Sequence, residues 1–338
     1  MRLLHELGAD VDASTTDART LTPQATGLCA SADPPWPLVE FPQGGMVRVV
    51  AFSPTNDFIA VGYHDRKHKL SIIHLNRRLW VPVADVSDLD ITHDGPILAV
   101  AFNAYANRIA TACEDKKLRI ISIESFAVHN MTNTVRELPH DGSVYAVAYH
   151  PNRDIIATGC DDGKVYILSG IESSPPIWMS VFDLGEKICA VAFDPQGVVL
   201  ATASAWKLTL IHEATRSVVR EVRQDGMVTA VAFRPEARSG MVGLIATCCG
   251  PTLRLVCPST GVVDPQHEIQ HGGAVTAVAF CPQGDFIATS SVDKKLRIVH
   301  VATGALKLQV DHSDSVRLGN FANASVANKG GLGVGSFL

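Results

Sequence analysis

Charge is scarce in this sequence. Only 19 % of the 338 residues are charged, and 34 acidic side chains against 29 basic ones leave a formal net charge of −5. Beside 46 % apolar residues, so little charge excludes a disordered, self-repelling chain. The acidic balance withholds the basic face that general nucleic-acid binding requires, so no nucleic-acid partner is expected. Long apolar runs are missing too. The stretch 95–113 is among the longest, and Asn103, Asn107 and Arg108 interrupt it, so no segment reads as a membrane span and no membrane partner is expected. The opening residues MRLLHELGAD have no long apolar core and no small-residue cleavage site, which argues against a signal peptide. The eight cysteines include no CxxC, and adjacent Cys248 and Cys249 would point to opposite faces of a strand, an arrangement unsuited to zinc. A chain of this length builds a core without disulfide staples. Free thiols are therefore expected in a reducing, intracellular compartment, the cytoplasm rather than the nucleus. No GxGxxG, P-loop, GxSxG, HExxH or EF-hand string occurs, and no catalytic residue, cofactor or metal is assigned.

What the sequence has is a repeat. Ala-Val-Ala-Phe, or a near copy, ends at Phe52, Phe102, Tyr149, Phe193, Phe233 and Phe280, a period of about 40 to 50 residues. A polar turn follows each copy, often with proline, as at Ser53-Pro54, His150-Pro151 and Asp194-Pro195. Next comes a second run of the form Ile-Ala-Thr, at 59–61, 109–111, 156–158, 200–202, 245–247 and 287–289, then a tight turn and a third run such as Lys-Leu-Arg-Ile. A more variable fourth run leads into the next unit, at 80–83, 135–138, 178–182, 218–222 and 306–310. Short runs bounded by Pro, Gly, Asn and Asp are strands joined by hairpins, and four antiparallel strands at this period make a propeller blade. A helical solenoid would need longer stretches of 3.6-residue periodicity.

Over residues 38–321 the chain resembles the WD40-repeat family. His93-Asp94-Gly95, His140-Asp141-Gly142 and His271-Gly272-Gly273 stand in place of the family's Gly-His, and Asp115, Asp162 and Asp293 each follow their His by 22 residues. The resemblance implies a buried hydrogen-bonded network of these six residues that locks the blades. The family's Trp-Asp dipeptide is missing from every unit. Its Trp column reads Ile73, Ile121, Leu168, Ile211, Val256 and Val299, so the indole donor is gone. Ala205-Trp206 and Gly250-Pro251 replace the turn aspartate in the fourth and fifth units.

The expected fold is all-β: six complete four-stranded blades plus an incomplete seventh, whose first strand matches at 312–321 and whose outer strand would come from 38–42. A truncated seven-bladed propeller is the preferred reading, and a six-bladed ring is the alternative. An open ring would leave strand edges through which the protein could associate. Residues 1–30 resemble the end of an ankyrin repeat, a short helix and hairpin, followed by a looser match to the next one. A lone repeat cannot bury its own face, so the match points to a larger chain. Residues 31–37 read as a proline-rich linker and 322–338 as a glycine-rich tail.

Three His–Asp pairs could be read as acid–base dyads, but they recur with the repeat, whereas a catalytic pair needs to occur once. Cys113, Cys160 and Cys249 share a column with Ser204 and Ser291, which reads as small-residue packing. The turns holding Lys116-Lys117 and Lys294-Lys295 read as solvated hairpin tips. The expected function is a non-catalytic scaffold that docks proteins or peptides. The alternatives are a propeller-fold hydrolase or dehydrogenase, or a truncated non-functional gene product. The resemblance implies that partners bind the funnel rim, formed by the loop before the first strand and the loop after the second. Carried to this sequence, those positions are Arg48, Tyr145, Lys187, Thr229, Thr276 and Arg317, with His64, Glu114 and Asp161 beside the turns. Tyr and Arg are common interface hot spots, which singles out Arg48, Tyr145 and Arg317.

Overall fold

Each Ala-Val-Ala-Phe run forms the first strand of a four-stranded antiparallel sheet. A computed structural model describes residues 46–55, 58–64, 68–74, 91–123, 135–171, 177–235, 243–263 and 268–311. Blade I holds β1 (Met46–Phe52), β2 (Phe58–His64), β3 (Lys69–His74) and β4 (Ile91–Thr92). Blade II holds β5 (Ile97–Phe102), β6 (Arg108–Cys113), β7 (Lys117–Ser122) and β8 (Val135–Pro139). Blade III holds β9 (Val144–Tyr149), β10 (Ile155–Cys160), β11 (Lys164–Ser169) and β12 (Ile177–Asp183). Blade IV holds β13 (Ile188–Phe193), β14 (Val199–Ser204), β15 (Lys207–His212) and β16 (Ser217–Arg223). Blade V holds β17 (Val228–Phe233), β18 (Ile245–Cys249), β19 (Thr252–Val256) and β20 (Ile269–Gln270). Blade VI holds β21 (Val275–Phe280), β22 (Phe286–Ser291), β23 (Lys295–His300) and β24 (Leu306–Asp311).

The first strands β1, β5, β9, β13, β17 and β21 pack against one another in succession, which makes them the inner strands of a six-bladed β-propeller. Among the described residues no comparable packing joins β21 back to β1. The segments 312–321 and 38–42, assigned to a seventh blade, lie outside the described residues, as do the ankyrin-like 1–30, the linker 31–37 and the tail 322–338. The run expected as an outer strand at 80–83 also lies outside them, and blade I takes the two-residue β4 as its outer strand.

Position in the blade explains the apolar pattern. Inner and second strands lie between neighbouring blades and are buried on both faces, so β10 is buried at every position and β9 at all but Tyr145. Outer strands face water, and five of the seven residues of β16 are exposed. The second strands carry a column of small residues where the next blade enters. A Cβ added to Gly159 would meet Ile188 Cβ at 2.9 Å, and one on Gly62 would meet Ile97 Cβ at 3.3 Å. Ala112, Ala203 and Cys248, at the same position in blades II, IV and V, share hydrophobic clusters with Val144, Val228 and Val275 of the following blade.

Arginines tie neighbouring blades on the side of the first-to-second-strand turns. Arg108 reaches Asp154 at 3.2 Å between blades II and III, and Arg153 reaches Glu213 at 3.1 Å between III and IV. Arg220 donates to Ser259 O and Thr260 O, both at 2.9 Å, between IV and V. Arg234 donates to Gly284 O at 2.9 Å between V and VI. The opposite side is the rim singled out by the sequence.

Candidate interaction surface

The inner strand of every blade carries a bulge near its start. Pairing with the second strand skips one residue at Arg48, Leu98, Tyr145, Cys189, Thr229 and Thr276. A bulge leaves its extra residue out of the ladder and re-aims the side chain. All six are partly buried, and their described neighbours in the strand are buried. Four of them, Arg48, Tyr145, Thr229 and Thr276, are rim residues named from the sequence. Leu98 and Cys189 belong to the same column and were missed. Lys187 does not belong to it: it stands on the loop ahead of β13, where its Nζ lies 3.3 Å from the centre of the Tyr145 ring and joins blades III and IV by a cation–π contact. Thr229 donates to Val275 O at 2.7 Å, and the Thr276 hydroxyl lies 2.8 Å from Ser290 Oγ. Glu114 and Asp161 open the turns after the second strands and are exposed. His64 ends β2, with its side chain outside the description, and Arg317 lies outside the described residues.

Beneath this rim the three histidines bind threonine, not aspartate. His93 Nδ1 lies 3.3 Å from Ile91 O. A carbonyl only accepts, so Nδ1 carries the proton, and Nε2 accepts from the Thr111 hydroxyl at 2.8 Å. His140 repeats the pattern with Leu138 O at 3.1 Å and Thr158 at 3.0 Å. His271 repeats it with Ile269 O and Pro251 O, both at 3.2 Å, and Thr289 at 2.8 Å. Burial, with Arg119 nearby, lowers the His93 pKa to about 4. Burial likewise lowers those of His140 and His271. All three imidazoles are neutral at pH 7.

The turn aspartates bind elsewhere. Asp115 pairs with Arg119 at 2.6 Å, and that guanidinium, 3 % exposed, also donates to Glu137 at 2.8 Å. Asp293 accepts from Arg297 at 2.6 Å and from the Gly272 N–H at 2.9 Å. Burial works against the Asp293 carboxylate, but the Arg297 and Gly272 hydrogen bonds outweigh it and hold its pKa at about 2. Asp162 accepts from the Lys164 N–H at 3.1 Å, and Lys164 Nζ reaches Asp141 at 2.5 Å. The third residue of this turn adopts a left-handed conformation, as Gly163 in blade III and as Lys116 and Lys294, with φ of 65° and 66°, in blades II and VI.

The Cys/Ser column makes hydrogen bonds as well as packing. Cys113, Cys249 and Ser291 point at Gly95 O, Gly226 O and Gly273 O at 3.1, 3.0 and 2.9 Å, tying the second strand to the loop ahead of the first. Blade V lacks the lock. Gln224 stands in the histidine position, and both its amide atoms and the Thr247 hydroxyl are buried without a hydrogen-bond partner among the described residues.

The rim changes character around the ring. Over blades II and III it presents Asp94, Glu114, Asp141 and Asp161 to solvent. Over blades IV to VI it presents Trp206, Met227 and Val292, which are 57, 52 and 50 % exposed, among the exposed charges of Glu186, Lys187, Asp225 and Lys294. Among the described residues no group of three or more His, Cys, Asp or Glu side chains is placed to hold a metal ion.

Comparison with known families finds WD40 repeats (WD domain, G-beta repeat) at residues 87–122, 132–169 and 264–300. These three segments hold the three histidine–threonine pairs. A comparison with curated proteins returns no match.

Proposed function

We propose that this protein is a non-catalytic scaffold, a WD40-type propeller that docks protein or peptide partners on its funnel rim. The observation that carries this reading is the column of bulges: six blades each offer one partly exposed side chain at the same level of the inner ring. Stations that carry Arg, Leu, Tyr and Cys, with Thr at two of the six, make a varied surface suited to specificity. The histidines support the same reading. Each is neutral and buried, and spends both ring nitrogens on a carbonyl and a threonine, which is structural work. The ankyrin-like 1–30 extend the proposal to a larger ankyrin–propeller chain, and the free thiols to a reducing compartment, the cytoplasm.

The test is a triple variant, Arg48→Ala, Tyr145→Ala and Arg317→Ala, used as bait beside the unaltered chain. Partner capture is expected to be abolished while the variant still unfolds in one cooperative transition, its melting temperature lowered only by loss of the Lys187–Tyr145 contact. Undiminished capture would contradict the assignment.

A further inference from the structure

Backbone hydrogen bonds link the loops that carry the exposed apolar residues of the rim. Val228 N–H donates to Ala205 O at 3.2 Å, and Gln224 N–H donates to Trp206 O at 2.9 Å, so the turn of blade IV is tied to the loop bearing Met227. Gly250 N–H donates to Met227 O at 3.2 Å, and Val275 N–H donates to Gly250 O at 2.8 Å. Val292 N–H then donates to Ala274 O at 2.9 Å. Trp206, Met227 and Val292 are thus held on a single hydrogen-bonded backbone track, each at least half exposed. The track also crosses the junction where Gln224 and Thr247 are buried without hydrogen-bond partners among the described residues.

Charge beside the track selects the occupant. The Asp225 side chain is 87 % exposed at 2.6 Å from Arg254, and Glu186 is exposed on the loop before blade IV. Two lysines stand nearby: Lys187, whose ammonium lies over the Tyr145 ring, and Lys294, exposed beside Val292 at the blade VI end, so the carboxylates gather towards blades III to V. Onward around the ring the exposed groups are again carboxylates, at Asp161 and Asp141. We propose that this track docks a cationic segment of a partner protein, seating an aliphatic or aromatic side chain on Trp206 and Met227 while its Lys or Arg residues face the carboxylates of blades III to V. The inference rests on the rim-docking reading and narrows it to one sector and one partner chemistry.

The probe is a random peptide library displayed on phage and panned on the full chain at low salt. Enriched sequences are expected to pair Lys or Arg with Trp, Phe, Leu or Ile. The best peptide should bind about tenfold or more weakly to Trp206→Ala and to Met227→Ala, as expected for a truncated hot spot. Its binding should also weaken as salt rises from about 0.05 to about 0.5 M. Val219→Ala, at an exposed position on the outer strand of blade IV, should leave it unchanged. Acidic or neutral enriched peptides, or affinity indifferent to both rim variants, would overturn the inference. If binding is lost only with Arg48→Ala or Tyr145→Ala, the inner ring is the site: the rim reading stands and this sector does not. A library that yields no binder counts against both.

Discussion

A buried histidine that stays neutral in the fold until about pH 4 makes stability depend on acid. His93 titrates near pH 6.5 in the unfolded chain and at about 4 in the fold. The unfolded state therefore binds more protons between these values, and stability falls as pH drops from 6.5 towards 4. At about 1.4 kcal/mol per pKa unit, His93 alone accounts for about 3 kcal/mol of that loss. His140 and His271 add to it in the same direction, because their pKa values are lowered too. Asp293 extends the loss below pH 3.8, since its stabilising charge disappears only as pH approaches about 2. Urea titrations across this range should show His93→Gln less stable at pH 7 but losing about 3 kcal/mol less than the parent between pH 6.5 and 4. An unchanged loss would mean that His93 is not the buried neutral group described. The sequence made the histidines and aspartates visible through their spacing, but not their partners. Thr111, Thr158 and Thr289 follow their histidines by 18 residues inside the repeated Ile-Ala-Thr run, where they look like ordinary strand residues. Arg119 and Arg297 take the aspartates from two positions inside the third strand, a pairing that only the hairpin register reveals.

At the level of the strand, the four-run pattern was legible because inner and second strands are buried on both faces and so stay apolar throughout. Outer strands were less so. β4 and β20 are two residues long, too short to leave a periodic signal, and blade V showed no fourth run at all. Bulges were invisible for a related reason: they shift pairing by one residue without changing residue type, so nothing in the residues of blade IV singles out Cys189. The small-residue column of the second strand has a measurable consequence. In Gly159→Ala the new methyl would meet Ile188 Cβ, a carbon too close to the backbone to swing away, and a cost of about 1–3 kcal/mol is expected. Ile188→Ala alone should cost about 2–5 kcal/mol through the cavity it leaves. Together the two should cost less than their sum by about 1 kcal/mol or more, because the new methyl enters space the isoleucine has left. Strictly additive costs, measured by denaturant unfolding, would show that the two blades do not meet at this point.

The two sides of the propeller differ in what their side chains do. Arginines bridge blades II to VI on one side, through Asp154, Glu213 and backbone carbonyls of the next blade. The other side carries exposed charged and aromatic groups at its loop tips, Asp94, Glu114, Asp141, Asp161 and Trp206 among them. The repeat period made the propeller legible, and the loss of the turn aspartate at Ala205-Trp206 and Gly250-Pro251 was plain in the sequence. That the first of these turns, with its exposed tryptophan, is hydrogen-bonded to the loop bearing Met227 needed the structure. The structure likewise shows that the segments matched by the WD40 family description are the blades with intact histidine–threonine pairs.

The most direct test of rim docking is hydrogen–deuterium exchange of the full chain with and without a captured partner or selected peptide. Protection is predicted in the loops around Asp94, Asp141, Glu186 and Met227, in the turns at Glu114, Asp161 and Trp206, and at the bulges that carry Tyr145 and Thr229. Exchange in the outer strands β16 and β24 should be unchanged. Protection confined to those outer strands, with the loops and bulges unaffected, would contradict the account.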